Sequence, residues 1–510
     1  MQGRSVKSTR NMLASFLSRT LGLVMTFVSR TIFIKVFGAE MLGISGLFTN
    51  ILSFLSLADL GFSTAMTYSY YKPIAERDEA KIAALNHFYK KVYLTIAGAI
   101  TAIGLVLVPF LDYFVNLEQN VDHLYLFYIL TLSKTVISYL FVYKTTVLHA
   151  HQESYIVTRY NLIMEVLSVA VQIIFMLLTK NYIVYLVVAI LFTFINNLYI
   201  SHIADKRYPF IKNNRSLLSK DDKKGIFNNL GSVFLYKVSS VLINSTDNLI
   251  ISKMVGTIYV GYYANYLTII NTASSYISIT FSSLTASIGN LMVKEDENKQ
   301  IHVFKEIQVL SAWFAIVIVT CVYLLINDFI TIWLGNNFLL DNLTVIAIGV
   351  NFLLLCVLNP IWIFREAAGI YRKTKYIMLI CAILNIGLSI VLGKLIGLSG
   401  ILFASAIAKL LTYVWYEPNI LFKSYFKTSP KSFFTSILMI SSVTFVLCIA
   451  GYFLLSNIHW QGIPGFIIKG VICFAITNII FLAIYGRNEY FKTLVKRIRD
   501  LIQGFLKKKA

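Results

Sequence analysis

Arg19 and Arg30 sit inside a long apolar run near the start of the chain, where a charge has little water to solvate it. An ionised side chain at mid-membrane depth costs about 3 kcal/mol or more, so each such residue is either a functional candidate or one half of an ion pair. The two arginines are eleven residues apart, close to three helical turns, and therefore project from nearly the same face of one helix. Lys237 and Asp247 share a later apolar run, Asp59 falls in the second run and Glu165 in the fifth. Lys134 and Lys409 stand mid-run on the fourth and twelfth. Arginine grips a phosphate or carboxylate through paired hydrogen bonds and lysine does so as a point charge, so the cations suit an anionic ligand. Asp59, Asp247 and Glu165 are candidates for a coupling proton or cation, or for structural pairs such as Arg19 with Asp59. Lys134 and Lys409 are candidate lobe-interior charges. No metal site is expected: His149 and His151 are two residues apart, which points their side chains away from one another on a helix. The five cysteines are scattered singly through apolar runs and read as small packing residues.

The elements that carry these residues follow from composition. Of 510 residues 57% are hydrophobic and only 14% charged, against about 25% charged in an ordinary globular chain. The apolar residues come in stretches of roughly 20, the length that crosses a hydrocarbon core of about 30 Å. Runs such as Leu94–Phe110 and Ile377–Leu392 lack the alternation of a barrel strand, so the spans are helices. The net charge of +21 does not imply nucleic acid, because the basic residues concentrate in alternate loops. Lys206, Arg207, Lys212, Arg215, Lys220, Lys223 and Lys224 form the largest internal cluster, and Arg365, Arg372, Lys373 and Lys375 form another, while Leu111–His123 and Asn327–Asn342 carry no Lys or Arg. This pattern places both termini in the cytoplasm and requires an even number of spans, about fourteen. The first run, Asn11–Phe37, is too long for a cleaved signal and is expected to stay as the first helix.

An internal repeat divides the chain. Phe16-Leu17-Ser18-Arg19 reappears as Phe234-Leu235-Tyr236-Lys237, and at the same offset Lys35 matches Lys253, Gly38 matches Gly256 and Gly43 matches Gly261. Six helices separate the copies, so they share one orientation, as in parallel-repeat transporters with an axis along the membrane normal. Glycine at the two turns permits positive φ at little cost. The expected division is residues 1–203 as an N-lobe, 204–225 as a cytoplasmic linker, 226–420 as a C-lobe, 421–486 as two extra helices, and 487–510 as a basic tail lying against anionic headgroups.

The stretch Phe37-Gly-Ala-Glu-Met-Leu-Gly-Ile-Ser-Gly-Leu-Phe-Thr-Asn50, with Leu57-Ala-Asp-Leu-Gly-Phe-Ser-Thr-Ala65 and Val260-Gly-Tyr-Tyr-Ala-Asn-Tyr266, resembles the Wzx-type polysaccharide flippases of the multidrug/oligosaccharidyl-lipid/polysaccharide exporter superfamily. The resemblance implies an all-α polytopic protein of the bacterial inner membrane, with two six-helix lobes related by a pseudo-two-fold axis and two peripheral helices. It implies translocation of an undecaprenyl-diphosphate-linked oligosaccharide to the outer leaflet by alternating access, for capsule, O-antigen or teichoic-type polymers. Membrane lipids, and a polysaccharide polymerase with other assembly proteins, would be its partners; no cofactor is implied. Arg19, Arg30 and Lys237 would then form the cationic cavity that receives the diphosphate or acidic sugars. Family members often carry a basic residue on the eighth helix, and Tyr262–Leu291 has none; Lys237 is placed to take over part of that role.

Two relatives of that reading stay open: a peptidoglycan-precursor flippase and a cation-coupled drug exporter of the same superfamily. A membrane polymerase or glycosyltransferase is disfavoured, because every external connection is short and no phosphate-cradling glycine motif occurs. The hydroxyl-rich stretch Thr272–Ser287 either allows close helix packing or lines a hydrated groove.

Overall fold

The computed structural model describes residues 4–56, 62–117, 121–213, 217–282, 284–457, 460 and 462–507. Among them helices carry the whole architecture and no strand occurs. They run in order as α1 (4–37), α2 (39–55), α3 (Phe62–Glu76), α4 (Glu79–Leu107), α5 (Leu124–Tyr139), α6 (Val142–Ala150), α7 (Ser154–Thr179), α8 (Tyr182–Arg207) and α9 (Lys220–Met254). Then come α10 (Thr257–Ser282), α11 (Thr285–Lys294), α12 (Glu297–Leu334), α13 (Asn342–Ala368), α14 (371–395), α15 (398–426), α16 (Lys431–Ser456), α17 (Gly462–Tyr485) and α18 (Glu489–Lys507). Helices α1 and α2 meet at Gly38, and α14 and α15 meet at Ile396 and Gly397, where the backbone leaves the helical region.

Nine of the described helical stretches are long and apolar enough to cross a membrane, and a tenth span arises from α5 and α6, bent by 42° at their junction. Separating the stretches at Gly38 and Gly397, counting α2 with α3 and α10 with α11, and adding α9 gives about fourteen spans. The protein is an all-α, multi-pass membrane protein. The tight pair α7 and α8 is resolved as two full helices, separated by the turn at Lys180 and Asn181.

Two compact units divide the described chain, Met1–Gly261 and Tyr262–Ala510. In the first, α1 packs most extensively on α7, and α8 lies against α5 and α7. Its core is aromatic: Tyr70, Tyr89, Tyr93, Phe48 and Tyr128 are fully enclosed, and Phe48 meets Tyr128 edge to face at 5.3 Å. Lipid is as apolar as these rings, so what holds such helices is shape fit and ring geometry rather than expulsion of water. The second unit is organised around Phe304, whose ring centroid lies 5.3 Å from that of Phe364, 5.2 Å from Phe422 and 5.4 Å from Phe426.

The two repeat-related turns behave as their glycines predict. Gly38 has φ 85° and Gly256 has φ 136°, both in the range that side chains resist. Five residues on, Gly43 and Gly261 face each other: a β-carbon on Gly43 would stand 2.1 Å from the Thr257 carbonyl oxygen, and one on Gly261 would stand 2.1 Å from that of Ala39. The repeat therefore marks a backbone-to-backbone contact that only glycine permits.

In the hydroxyl-rich helix Thr268, Thr272, Ser275 and Thr280 each donate to the carbonyl four residues earlier, on Ala264, Thr268, Asn271 and Tyr276. Internal bonding of this kind accommodates several of its hydroxyls in the span, while the buried Ser274 and Thr285 hydroxyls make no such bond among the described residues.

Candidate functional site

In the first unit, Arg30, Phe33 and Phe37 occupy one face of α1, at the three- and four-residue spacings that align side chains. Across from them, α8 presents Tyr182 and Tyr185, whose rings stack 5.6 Å apart at 15°. Phe33 meets Tyr185 at 5.4 Å and Tyr182 at 5.8 Å, and Phe37 meets Tyr182 at 5.5 Å. The Arg30 guanidinium is close enough to Tyr185 for the two groups to interact electrostatically. Phe127 of α5 closes the cluster, its ring 4.8 Å from that of Tyr182.

Lys134 follows Phe127 by seven residues on α5, two turns along the same face. Its side chain is exposed on α5. Among the described residues it has neither an ion-pair nor a hydrogen-bond partner. Arg30 thus borders a buried aromatic cluster formed by α1, α5 and α8, and Lys134 is a second mid-span cation two turns farther along α5.

The other sequence candidates are distributed differently. Arg19 lies on α1 and Lys237 on α9, but their side chains, like all of Asp59, lie outside the described residues. Glu165 of α7 is exposed and reaches α1, its carboxylate 3.6 Å from where a Gly22 β-carbon would be. It therefore sits one turn from Arg19 along α1. Asp247 is half-buried on α9 and engaged in its surroundings. Lys409 belongs to the second unit, where it donates to Asn351 Oδ1 at 2.8 Å; the Asn351 amide in turn donates to the Leu402 carbonyl.

Sequence reasoning missed three features. Arg365, counted among the basic loop residues, is instead buried on α13 and forms two hydrogen bonds to the buried Glu417 of α15, at 2.7 and 3.0 Å. Glu417 as a lone acid in an apolar run was the available signal. Lys469 of α17 pairs with Asp328 of α12 at 2.8 Å. Cys321 and Cys473, far apart in the chain, bring their sulfurs to 3.3 Å. Beside the Lys469 pair, α12, α13 and α16 enclose a cavity of about 660 Å³ with mostly apolar walls, among them Leu324, Val345, Phe445 and Ile449. Asn327, Asn342 and the ion pair stand at its polar part. Among the described residues no group of histidine, cysteine and acidic side chains is arranged to hold a metal.

This fold has known counterparts. A lipid II flippase MurJ in an inward closed conformation superposes with a TM-score of 0.64 over 94% of this chain and 99% of its own, at 15% identity. An inward-facing multidrug resistance MATE transporter of the MOP superfamily matches 83% of this chain and 95% of its own at 0.61 and 14% identity. The Vibrio cholerae MATE transporter VcmN, in a point-mutant form, matches 83% of this chain and 99% of its own at 0.55 and 12% identity. Neither a family model nor a curated protein matches the sequence. The fold is the one that these flippase and MATE transporter structures share. Each of these neighbours is a transporter or flippase, not an enzyme, and MATE structures facing inward and facing outward are both among them.

Proposed function

We propose that the protein flips an undecaprenyl-diphosphate-linked oligosaccharide across the bacterial inner membrane, from the cytoplasmic to the outer leaflet, for a capsule, O-antigen or teichoic-type polymer. The observation that carries this reading is the mid-span Arg30 beside Tyr185 of the Tyr182–Tyr185 stack inside the first unit, with Lys134 a second mid-span cation on α5. A diphosphate needs cations that hold their charge away from bulk water, and a guanidinium, delocalised and weakly hydrated, does so better than an ammonium. A sugar ring needs a flat apolar face with a polar edge, which tyrosine supplies.

In this reading Arg30 binds the phosphate, Lys134 a phosphate or acidic sugar, and Tyr185 one saccharide ring. Arg19 and Lys237, on repeat-related positions, complete the cationic cavity. Both termini are cytoplasmic, as the alternation of basic loops requires. Glu165, whose carboxylate approaches α1 at Gly22, is a candidate for ion coupling in this cycle.

The test uses cells lacking the protein and cells complemented with wild type or Arg30→Ala. Complete lipid-linked repeat units should accumulate on the cytoplasmic leaflet in the deletion strain, clear with wild type, and persist with Arg30→Ala at normal protein level. Normal arrival of repeat units at the outer leaflet without the protein would defeat the proposal.

A further inference from the structure

The residues around Gly256 form a closed hydrogen-bonded lock with the segment that follows α4. Ser252 donates to the Phe114 carbonyl at 2.8 Å, and since a carbonyl cannot donate, this fixes the serine proton. The Ser252 and Thr257 hydroxyls lie 2.8 Å apart, so Thr257 must donate and Ser252 accept. Thr257 Oγ1 in turn accepts from the Asn116 amide at 3.0 Å, and the Thr257 amide donates to the Asn116 carbonyl at 3.0 Å. Every donor in the chain Asn116, Thr257, Ser252, Phe114 thus has one acceptor, and both hydroxyls are completely enclosed. Beside it the Lys253 ammonium lies 4.2 Å from the Tyr113 ring centroid. On the other side Val260, 1% exposed, packs against Gly46, and Gly43 and Gly261 bring the two repeat-related turns into backbone contact.

We infer that this lock, Ser252 and Thr257 against residues 114–116 together with the Gly43–Gly261 contact, is the outer gate of the transporter, and that the structure shows it shut. The inference rests on the proposed transport reading and on the orientation set by the basic loops, which puts 111–123, 38–43 and 253–256 on the outside. A dry, fully satisfied polar network joined by glycine contact can part as one unit and reclose in one register, because partial opening leaves buried donors unpaired. Thr257 is the hub: it alone bonds to both Ser252 and Asn116. A purely structural lock would be expected to stay shut throughout the cycle, whereas a gate must open.

The experiment places a reporter, Val260→Cys, in full-length protein whose native cysteines are replaced by alanine. Its labelling by a membrane-impermeant maleimide is timed from outside in intact cells. Labelling should be slow in this parent and roughly tenfold faster with Thr257→Val, since one to two net hydrogen bonds are lost. Thr257→Ser, which keeps the hydroxyl, should restore the slow rate. If Thr257→Val does not fold, Ser252→Ala takes its place with the same expectation. An unchanged rate in the folded variant, or labelling reached only from the cytoplasmic side, would overturn the gate. The readout needs no substrate: labelling that responds as expected while lipid-linked oligosaccharide still crosses without the protein would leave the gate standing and remove the substrate assignment.

Discussion

Alanine at Gly43 should be among the most damaging single-methyl additions in the first unit. The added β-carbon would stand 2.1 Å from the Thr257 carbonyl oxygen and 3.2 Å from the Gly261 nitrogen. Non-bonded heavy atoms settle at about 3.5 Å or more, so the two backbones must separate by over ~1 Å. Overpacking of this kind costs about 1–3 kcal/mol, and backbone on both sides puts Gly43 near the upper end. Replacing glycine by alanine within a helix returns about 1 kcal/mol, which leaves a net loss of about 2 kcal/mol. Gly261→Ala should cost the same, because its β-carbon would meet the Ala39 carbonyl oxygen at the same 2.1 Å. The double variant should cost little more than either single one, since one separation relieves both clashes. Gly46→Ala is the matched control: its β-carbon meets only Val260 Cγ1, at 3.7 Å. It should be neutral or stabilising. Thermal and denaturant unfolding of the four variants in one detergent reads these differences. Equal stability of Gly43→Ala and Gly46→Ala, or full additivity in the double variant, would refute the glycine contact.

Arg365→Met strands the buried Glu417 carboxylate and should destabilise the second unit by about 3–5 kcal/mol. Adding Glu417→Leu should recover most of that loss in the same unfolding assay, and no recovery would deny that the pair is the cause. Lys134→Met should leave stability unchanged or improved, because Lys134 has no partner among the described residues, while lowering transport at least tenfold (one lost charge-assisted contact); full transport would remove Lys134 from the site. Near the start of α9, outside the spans, the Lys81 ammonium holds the Asp222 carboxyl below its ordinary range, with Ser219 assisting. A depressed acid stabilises above its unfolded pKa, so the link between α4 and α9 should hold at neutral pH and be lost only as pH falls below the ordinary carboxylate range, through the depressed folded value. Both groups are partly exposed to solvent, so the effect should stay under about 1 kcal/mol; a pH-dependent loss of the same size in Asp222→Asn would show that another group is responsible.

Much of the architecture was legible because the membrane imposes it. Apolar runs must be helical in lipid, which set the helix count before any packing was known, and the repeat located Gly38 and Gly256 at positive φ. The weak point was charge that never reaches solvent. Counting basic residues placed Arg365 with its loop neighbours, whereas pairing with Glu417 draws it inside; counting cannot see a partner 52 positions away. The lock on Thr257 was invisible for a different reason. Asn116, Ser252 and Thr257 are ordinary residues, separated by 141 positions between Asn116 and Thr257, and only three-dimensional register makes them a closed network. Arg30 and Lys134 stood out as mid-span cations, but nothing in periodicity showed that Tyr182 and Tyr185 stack beside Arg30. Their roles in a cavity, like those of Arg19 and Lys237, belong to the proposal.

Leaflet-resolved transport by purified protein tests the central claim most directly. Proteoliposomes would carry an undecaprenyl-diphosphate-linked oligosaccharide with a fluorescent label on its sugar, and a membrane-impermeant quencher would report the label in the outer leaflet. Vesicles containing the protein should expose the label initially protected in the inner leaflet, and vesicles with Arg30→Ala should keep it protected. Protection equal to that of protein-free vesicles, in preparations where the wild-type protein is folded, would contradict the account.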